Sequence, residues 1–195
     1  LLSLSGHKMY GPQGIGALFI RRDLQDRIEP LVYGGGQQRD LRSGTVPVAL
    51  CVGMGAAAAL LDAGKAEEER TLLRQRRDLF VRKLMNLSWP IFLNGPEEAQ
   101  RHPGNANMRF DGFDAHDILS TLQPRLAAST GSACTSGIPE PSHVLRAIGL
   151  SACEAEASIR FSLGRETTSR DIHDAVLLID DALSRLAQSN LVRSA

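Results

Sequence analysis

The chain has 195 residues, of which 43% are hydrophobic and 23% are charged, a composition typical of a globular protein with one domain or two small ones. Its 22 basic and 22 acidic residues balance, so nothing in the charge favours nucleic acid or a membrane as partner. The three widely spaced cysteines make no disulfide framework, so we expect a reducing, cytoplasmic location. No apolar run approaches the roughly 20 residues that span a bilayer.

The first part of the chain is predicted to contain two strands, a glycine-rich loop and an apolar helix. Residues 1–4 and 16–21 have the apolar pattern of buried strands. The run Gly34-Gly35-Gly36 begins a flexible, polar loop. A helix then starts at Pro47, is apolar almost all round, and is expected to be buried and to end at Gly64. Because the chain begins like the middle of a core strand, we expect it to be one part of a longer protein.

A change from apolar to charged sequence at Gly64 predicts a domain boundary, with residues 1–64 in one domain and residues 65–195 in another. The second domain is predicted to alternate strands and helices. Its predicted elements are a helix over 65–87, a strand over 106–110, a helix from Asp114 to just before Pro124, a strand over 125–129, a loop over 131–141, a helix over 143–148, a strand over 158–163, and a helix from the capping-box pattern at 168–171 to about Leu186.

Lys8 has the most informative surroundings in the first domain. It follows Ser5 and His7 at the end of an apolar run, and a glycine-rich turn comes after it. Lysine amines that bind carbonyl compounds covalently need a fixed, partly desolvated position, and this pattern offers one. On the local sequence alone, a surface lysine before a turn and a structural histidine remain alternatives.

Two residues of the second domain also suggest chemistry. Arg160 lies in an apolar strand, where a guanidinium is costly unless it meets an anion, so a substrate carboxylate and a structural salt bridge are both open. Cys134 lies in a loop of small residues, which gives a nucleophilic thiol access and room to move. Asn105, Asn107 and Cys153 receive no role. The spacing of the histidines and cysteines makes no metal site.

Four motifs together resemble the cysteine desulfurases, pyridoxal-phosphate enzymes with the class V aminotransferase fold. The segment from Ser5 to Lys8 resembles their cofactor-lysine region, and Gly131-Ser132-Ala133-Cys134-Thr135-Ser136 resembles their mobile catalytic loop. The string Arg42-Ser43-Gly44-Thr45 and the strand around Arg160 complete the set, in the family's order. The resemblance implies an α/β protein of fold type I, with residues 1–64 ending the large cofactor-binding domain and residues 65–195 forming the small α+β domain.

The resemblance also implies the role of each residue. Lys8 would hold pyridoxal phosphate and move the substrate's α-proton, Ser5 and His7 would contact the cofactor phosphate, Thr45 would reach the phosphate in the neighbouring subunit of a homodimer, Arg160 would bind the carboxylate of L-cysteine, and Cys134 would take the sulfur as a persulfide. Alanine would leave, and the sulfur would pass to an acceptor or iron–sulfur scaffold protein for cluster assembly or thiolation. The family has Glu in place of Gln38 and Gly in place of Asp40, so the loop geometry there is left open.

Two alternatives stay open. The first is another fold-type I enzyme, such as a selenocysteine lyase, a C–S lyase or an aminotransferase, although transamination needs no cysteine like Cys134. The second is a silent fragment that only dimerises or binds a partner. The family's cofactor ring is held by residues of an upstream half that are not identifiable here. We therefore expect the 195-residue chain alone to bind cofactor poorly and to be inactive.

Overall fold

The computed structural model describes residues 1–61, 63–96, 100–131 and 141–193. The chain divides into two compact units, Leu1–Glu67 and Glu68–Ala195. The assignment of residues 1–64 and 65–195 to a large and a small domain of the family stays a prediction. Within the described ranges, every helix is too short or too polar to cross a membrane.

The first unit contains a two-stranded antiparallel sheet, a short helix and a longer apolar helix. Its elements are β1 (Leu2–Ser5), a 3-10 turn (Gly6–Met9), β2 (Gly16–Phe19), α1 (Arg22–Gln25) and α2 (Val48–Ala59). β1 and β2 pair so that Ser5 lies opposite Gly16. The chain therefore leaves β1, makes the 3-10 turn and returns along β2, as the strand predictions on either side of Lys8 anticipated.

The prediction that these strands and this helix are buried is wrong for the chain as it stands. Leu2, Leu18 and Phe19 are 55%, 57% and 60% exposed, and α2 buries only Ala57. An apolar strand or helix is buried only where a second layer covers it, and the first unit supplies almost no such layer. Gly64 does not end the helix either, because α2 stops at Ala59 and Gly64 lies inside the next helix, where a glycine costs only about 1 kcal/mol relative to alanine.

The second unit is built on a three-stranded antiparallel sheet with strand order β3-β4-β5. The remaining elements of the chain are α3 (Ala63–Met85), β3 (Ile91–Leu93), β4 (Asn105–Phe110), α4 (Ala115–Leu122), α5 (His143–Ala147), α6 (Ala152–Glu156), β5 (Ser158–Ser162) and α7 (Ser169–Arg193). The helix and strand predictions are confirmed for α3, β4, α4, α5, β5 and α7. β3 and α6 were not predicted, and the predicted strand over 125–129 is wrong, because only Ser129 pairs there, in a single bridge with Arg160.

Side-chain caps explain where three of these helices begin. The carboxylate of Asp114 accepts hydrogen bonds from the backbone N–H groups of His116 and Asp117, at 2.7 and 3.3 Å. The Thr168 hydroxyl accepts from the backbone N–H of Asp171 at 3.1 Å, and Ser151 caps α6 in a full capping box. Such caps satisfy N–H groups that the first helical turn otherwise leaves unbonded.

One face of the sheet forms the core, and the other face is polar. Alternate residues of β4 and β5 point to opposite faces. The core face carries Ala106, Met108, Phe110, Ile159 and Phe161, which join buried residues of α3, α4 and α7 in one cluster. The ring of Phe161 makes edge contacts with Phe80 and Phe110, at centroid distances of 5.1 and 6.4 Å. The opposite face carries the half-buried side chains of Asn107, Arg109 and Arg160.

Candidate active site

Lys8 lies in the 3-10 turn that directly follows β1. Its side chain is exposed, and no ion pair within the described part of the chain involves its amine. The predicted partial desolvation is therefore not present in this chain. The amine is nevertheless not engaged by a carboxylate of these residues, so it is available to a carbonyl compound.

Gly6 fixes the backbone conformation of the lysine turn through hydrogen bonds and close packing. Its N–H donates to the carbonyl of Ile15 at 2.9 Å, and its own carbonyl accepts from the N–H of Gly11 at 2.9 Å. A Cβ on Gly6 would lie 2.7 Å from Ile15 Cγ2 and 2.9 Å from the carbonyl oxygen of Pro12, so no larger residue fits without a shift. The turn thus fixes the positions from which the side chains on either side of Gly6 emerge.

Ser5 and His7 are brought together at the start of this turn, and Lys8 is the next residue. Ser5 Oγ lies 3.1 Å from His7 Nδ1, within hydrogen-bond distance. A hydroxyl, an imidazole and a primary amine within four residues form a donor set that suits an anionic aldehyde, with the amine for the carbonyl and the other two groups for the anion.

Thr45 lies at the end of a loop that is organised by its own hydrogen bonds. The Arg42 guanidinium donates to the carbonyl of Gly44 at 2.7 Å, and the Gly44 N–H donates to the side-chain oxygen of Gln37 at 2.9 Å. The Thr45 side chain is exposed, and its hydroxyl makes no hydrogen bond within the described ranges. The structure therefore does not join Thr45 to the lysine turn by a hydrogen bond.

The same loop contains a left-handed stretch over residues 38–40. Gln38, Arg39 and Asp40 have φ angles of +51°, +59° and +61°. The left-handed region favours glycine, and aspartate tolerates it better than most other residues. Asp40 thus adopts a backbone conformation that suits the glycine expected at this place from the resemblance, so the departure in sequence does not require a different local path.

Arg160 lies on the polar face of the sheet and is half-buried. Its backbone N–H donates to the carbonyl of Ser129 at 2.6 Å, and its Nη1 lies 3.5 Å from the carbonyl oxygen of Gly131. No carboxylate among the described residues forms an ion pair with it. By contrast, Arg109 pairs with Asp111 and Glu154, and Arg165 pairs with Glu69 at 2.8 Å. The structural salt bridge that the sequence left open for Arg160 is therefore not found within these ranges.

Cys134 lies outside the described residues, as does the rest of the segment from 132 to 140. The other two cysteines carry free thiols, with Cys51 half-buried and Cys153 exposed. Across the described part of the chain, no group of three or more His, Cys, Asp or Glu side chains could hold a metal ion.

Sequence reasoning missed a hydrogen-bonded group next to Arg160. Asn94, which is 6% exposed, contacts the side chains of Asn107 and Ser158, and Asn107 lies directly opposite Arg160 between β4 and β5. The alternation of polar and apolar residues in β4 placed Asn107 on the polar face. The pairing of Asn107 with Arg160 depends on the register of two strands more than 50 residues apart, which no local pattern reveals.

The sequence pattern of the aminotransferase class-V family matches residues 1–174. The chain belongs to this family. The predicted family and its α/β fold of fold type I are thereby confirmed.

Relatives of this class-V chain include proteins named as desulfurases. Cysteine desulfurase IscS of Rickettsia typhi is 44% identical over 186 residues, which cover 95% of this chain and 45% of the relative. A solved structure of a NifS-like protein from Rickettsia africae is 29% identical with a TM-score of 0.80, and the match covers 93% of this chain and 47% of that one. A structure described as SspA in complex with cysteine is 34% identical with a TM-score of 0.59, covering 85% and 44%. The chain thus spans less than half the length of these relatives.

The class-V chain therefore carries its candidate site residues in two places. Ser5, His7 and Lys8 share one turn of the first unit, and Thr45 lies in the same unit. Arg160 lies in the second unit, on the sheet that also holds Asn107, which the sequence left without a role.

Proposed function

We propose that this chain forms part of a pyridoxal-phosphate-dependent cysteine desulfurase, which converts L-cysteine to L-alanine and takes the sulfur as a persulfide on Cys134. The observation that carries the proposal is the half-buried Arg160, which meets no carboxylate among the described residues although Arg109 and Arg165 of the same unit do. A guanidinium in that position suits the α-carboxylate of an amino acid. The similarity to a protein named cysteine desulfurase, and to a structure described as containing cysteine, supports that substrate.

The lysine turn fits pyridoxal phosphate, the cofactor of the class-V family. Its amine is available for the cofactor aldehyde, and the adjacent Ser5 hydroxyl and His7 imidazole are available for the phosphate. Bound there, the cofactor would supply an electron sink for chemistry at the α-carbon. Lys8 would hold it, and Ser5 and His7 would anchor its anionic end.

The chain's own residues would then carry the reaction in a fixed order. Arg160 binds the carboxylate of L-cysteine and orients the α-carbon, and the Lys8 amine takes the α-proton. The Cys134 thiolate attacks the substrate sulfur, so that an S–S bond forms and the C–S bond breaks. The electron pair of the C–S bond leaves with the carbon fragment, which gains a proton and departs as alanine. Thiol and cysteine thus give persulfide and alanine, with no external oxidant or reductant.

The contact between Arg160 and Gly131 supports the choice of Cys134 as the nucleophile. Gly131 Cα and Cys134 Cα are three residues apart in sequence, and three residues of chain extend at most about 11 Å. Because the Gly131 carbonyl lies 3.5 Å from Arg160 Nη1, the covalent chain limits how far the thiol can be from the carboxylate-binding group.

The partners are part of the same proposal. We place the enzyme in the cytoplasm as a homodimer in which Thr45 reaches the cofactor phosphate of the neighbouring subunit, and the exposed Thr45 hydroxyl, without a hydrogen-bond partner in the described ranges, supports that role. The persulfide would pass to a sulfur acceptor or an iron–sulfur scaffold protein.

The decisive experiment replaces the proposed nucleophile in the holoenzyme, here meaning this chain joined to an upstream half such as its relatives have and loaded with pyridoxal phosphate. With dithiothreitol present to reduce the enzyme persulfide and release its outer sulfur as sulfide, Cys134→Ser should abolish sulfide release from L-cysteine, because the hydroxyl cannot accept the sulfur, while the absorbance of bound cofactor stays unchanged. The matched control is Cys153→Ser, an exposed thiol outside the motif, which should keep full activity. Normal sulfide release by Cys134→Ser would contradict the proposal.

The same assay separates the alternatives. Sulfur removal that survives the loss of Cys134 would indicate a C–S lyase, and faster turnover of selenocysteine than of cysteine would indicate a selenocysteine lyase. A holoenzyme that binds cofactor and transfers only the amino group would be an aminotransferase. A protein that binds neither cofactor nor amino acid would leave a dimerising or partner-binding role.

A further inference from the structure

A chain of four hydrogen-bonding groups includes two side chains of the polar face of the second unit's sheet, those of Asn107 and Ser158. Ser158 Oγ lies 2.6 Å from the backbone carbonyl oxygen of Glu154. Asn94 Nδ2 lies 2.8 Å from Ser158 Oγ and 2.7 Å from Asn107 Oδ1. Ser158 is completely buried and Asn94 is 6% exposed. Buried polar groups of this kind are costly unless every partner is correctly oriented, so the direction of each bond matters.

The direction of the bonds follows from the Glu154 carbonyl, which can only accept. The Ser158 hydroxyl must donate to it, and the Ser158 oxygen is then available to accept from the Asn94 amide. The second N–H of Asn94 donates to the Asn107 oxygen. Turning the Asn107 amide over would set two N–H₂ groups against each other. The network therefore requires Asn107 to present its oxygen to Asn94 and to direct its N–H₂ group away from it.

Asn107 is the cross-strand neighbour of Arg160. The two residues are directly opposite in the antiparallel pair of β4 and β5, so their side chains share one face with Cβ atoms about 4.5–5.5 Å apart. No acceptor for this N–H₂ group is found among the described residues. Arg160 likewise pairs with no carboxylate there, and its one contact with a carbonyl oxygen is long, at 3.5 Å. Two adjacent donors, one charged and one neutral, thus face the same side of the sheet.

We propose that Asn107 is a second binding residue for the substrate α-carboxylate, donating a hydrogen bond from its amide to the anion that Arg160 holds. Asn94 and Ser158 are positioning residues that keep the amide turned outward. The inference rests on the proposed function, because that function supplies the amino acid. Asn105 provides the contrast, since it lies on the same strand and face, opposite Ser162, and belongs to no such network.

The sharpest variant is Asn107→Asp, which keeps the shape and the oxygen that Asn94 needs but turns the outward donor into a charged acceptor. In the holoenzyme, the Kd for L-alanine, read from the change in absorbance of bound cofactor, should rise at least about 100-fold. Asn107→Ala should raise it about 10-fold, the loss of one hydrogen bond to a charged group. The matched control Asn105→Asp should stay within about twofold of wild type, as expected for a side chain that does not touch the anion.

A ligand without the carboxylate separates binding from folding. L-Alaninamide has no anion for Asn107 to meet, so Asn107→Ala should bind it as wild type does. Asn94→Ala, which frees the Asn107 amide to rotate, should weaken L-alanine binding by about threefold, less than loss of the amide itself, and leave L-alaninamide unaffected. Equal weakening of both ligands would mean a structural role only, and it would overturn the inference. Wild-type affinity of Asn107→Asp for L-alanine would overturn it as well.

Sulfide release by the wild-type holoenzyme, measured in parallel, keeps the two proposals apart. If wild type releases sulfide from L-cysteine and Asn107→Asp keeps wild-type affinity for L-alanine, the role of Asn107 is refuted and the function stands. If wild type binds L-alanine with the predicted dependence on Asn107 but releases no sulfide, the carboxylate site stands and the desulfurase proposal fails.

Discussion

The two units of the chain differ in what covers their strands. In the second unit, apolar residues of three strands and three helices form one buried cluster that extends from Phe80 to Leu183. In the first unit, strands of similar apolar character remain open, and Ala57 and Ala66 are its only buried hydrophobic residues within the described ranges. Apolar sequence therefore predicted strands correctly in both units, but burial only where the same unit supplies a covering layer.

The candidate site residues differ in the same way. The lysine turn of the first unit is held locally, by the close approach of Gly6 to Ile15 and Pro12. In the second unit, the residues before and after Arg160 and Asn107 on their strands are packed into the core. The core packing therefore fixes the strands from which these two side chains project. We infer that the side chains proposed to bind the carboxylate owe their orientation to tertiary packing, whereas those proposed to bind the cofactor owe theirs to one tight turn.

The largest expected effect comes from replacing a phenylalanine by alanine in the sheet of the second unit, compared with the same replacement in the sheet of the first unit, both in the 195-residue chain. Phe110→Ala removes a fully buried ring from the second unit and should lower its free energy of unfolding by about 3–5 kcal/mol. Phe19→Ala removes a ring that is 60% exposed and should change stability by no more than about 0.5 kcal/mol. Urea unfolding, followed by circular dichroism for both units and by the fluorescence of Trp89 for the second, measures the difference.

Trp89 is the only tryptophan of the chain, so its signal reports on the second unit alone. A cost for Phe19→Ala as large as that for Phe110→Ala, seen by circular dichroism, would show that the first unit has a core of its own in solution. The contrast between the two units would then be wrong.

Local signals in the sequence predicted most of the fold and picked out some residues of the candidate site. Asp114 and Thr168 marked helix starts because a cap is a contact between residues two or three apart. β3 and α6 have only three and five residues, too few to show a period. Lys8 stood out from its neighbours in the same way. Asn107 did not stand out, because its proposed role depends on the hydrogen bond from Asn94 and on the strand register with Arg160. Such contacts exist only once the sheet has formed.

A smaller effect is expected from a tertiary hydrogen bond of the second unit. Trp89 Nε1 donates to the carboxylate of Asp180, on α7, at 2.7 Å, and the Trp89 ring packs edge-on against Phe113. Asp180→Ala leaves the indole N–H without its acceptor and should lower the free energy of unfolding by about 1–3 kcal/mol, measured by urea unfolding through Trp89 fluorescence.

Two variants show whether the hydrogen bond itself carries that effect. Asp180→Asn keeps an oxygen acceptor and should recover more than half of the loss. In the first unit, Asp23 pairs with Arg21, but both side chains are largely exposed, at 58% and 65%, so Asp23→Ala should leave the free energy of unfolding nearly unchanged. Equal losses for Asp180→Ala and Asp180→Asn would assign the effect to charge instead of the hydrogen bond.

The smallest effect is a dependence on acid pH that should differ between the units. The backbone N–H and the hydroxyl of Thr168 hydrogen-bond to Asp171 and hold the pKa of its carboxyl below the ordinary value. A lowered folded-state pKa means that this stabilisation is complete above the ordinary carboxyl pKa and is lost as the pH falls through the lowered one. Stability of the second unit should therefore decline in that acid range, and Asp171→Asn should make the decline shallower.

Glu154 should also contribute to the decline of stability at acid pH, so Asp171→Asn should remove only part of that decline. Its pKa is also lowered, first by the backbone N–H of Ser151 and then by the Ser151 hydroxyl, so part of the acid dependence should remain in the variant. Asp23→Asn is the matched control, because Arg21 lowers the pKa of that carboxyl in the other unit. It should leave the Trp89-detected transition unchanged at every pH. If stability declines as steeply with falling pH in Asp171→Asn as in wild type, the cap at α7 does not contribute. If Asp23→Asn alters that decline, the two units do not unfold separately.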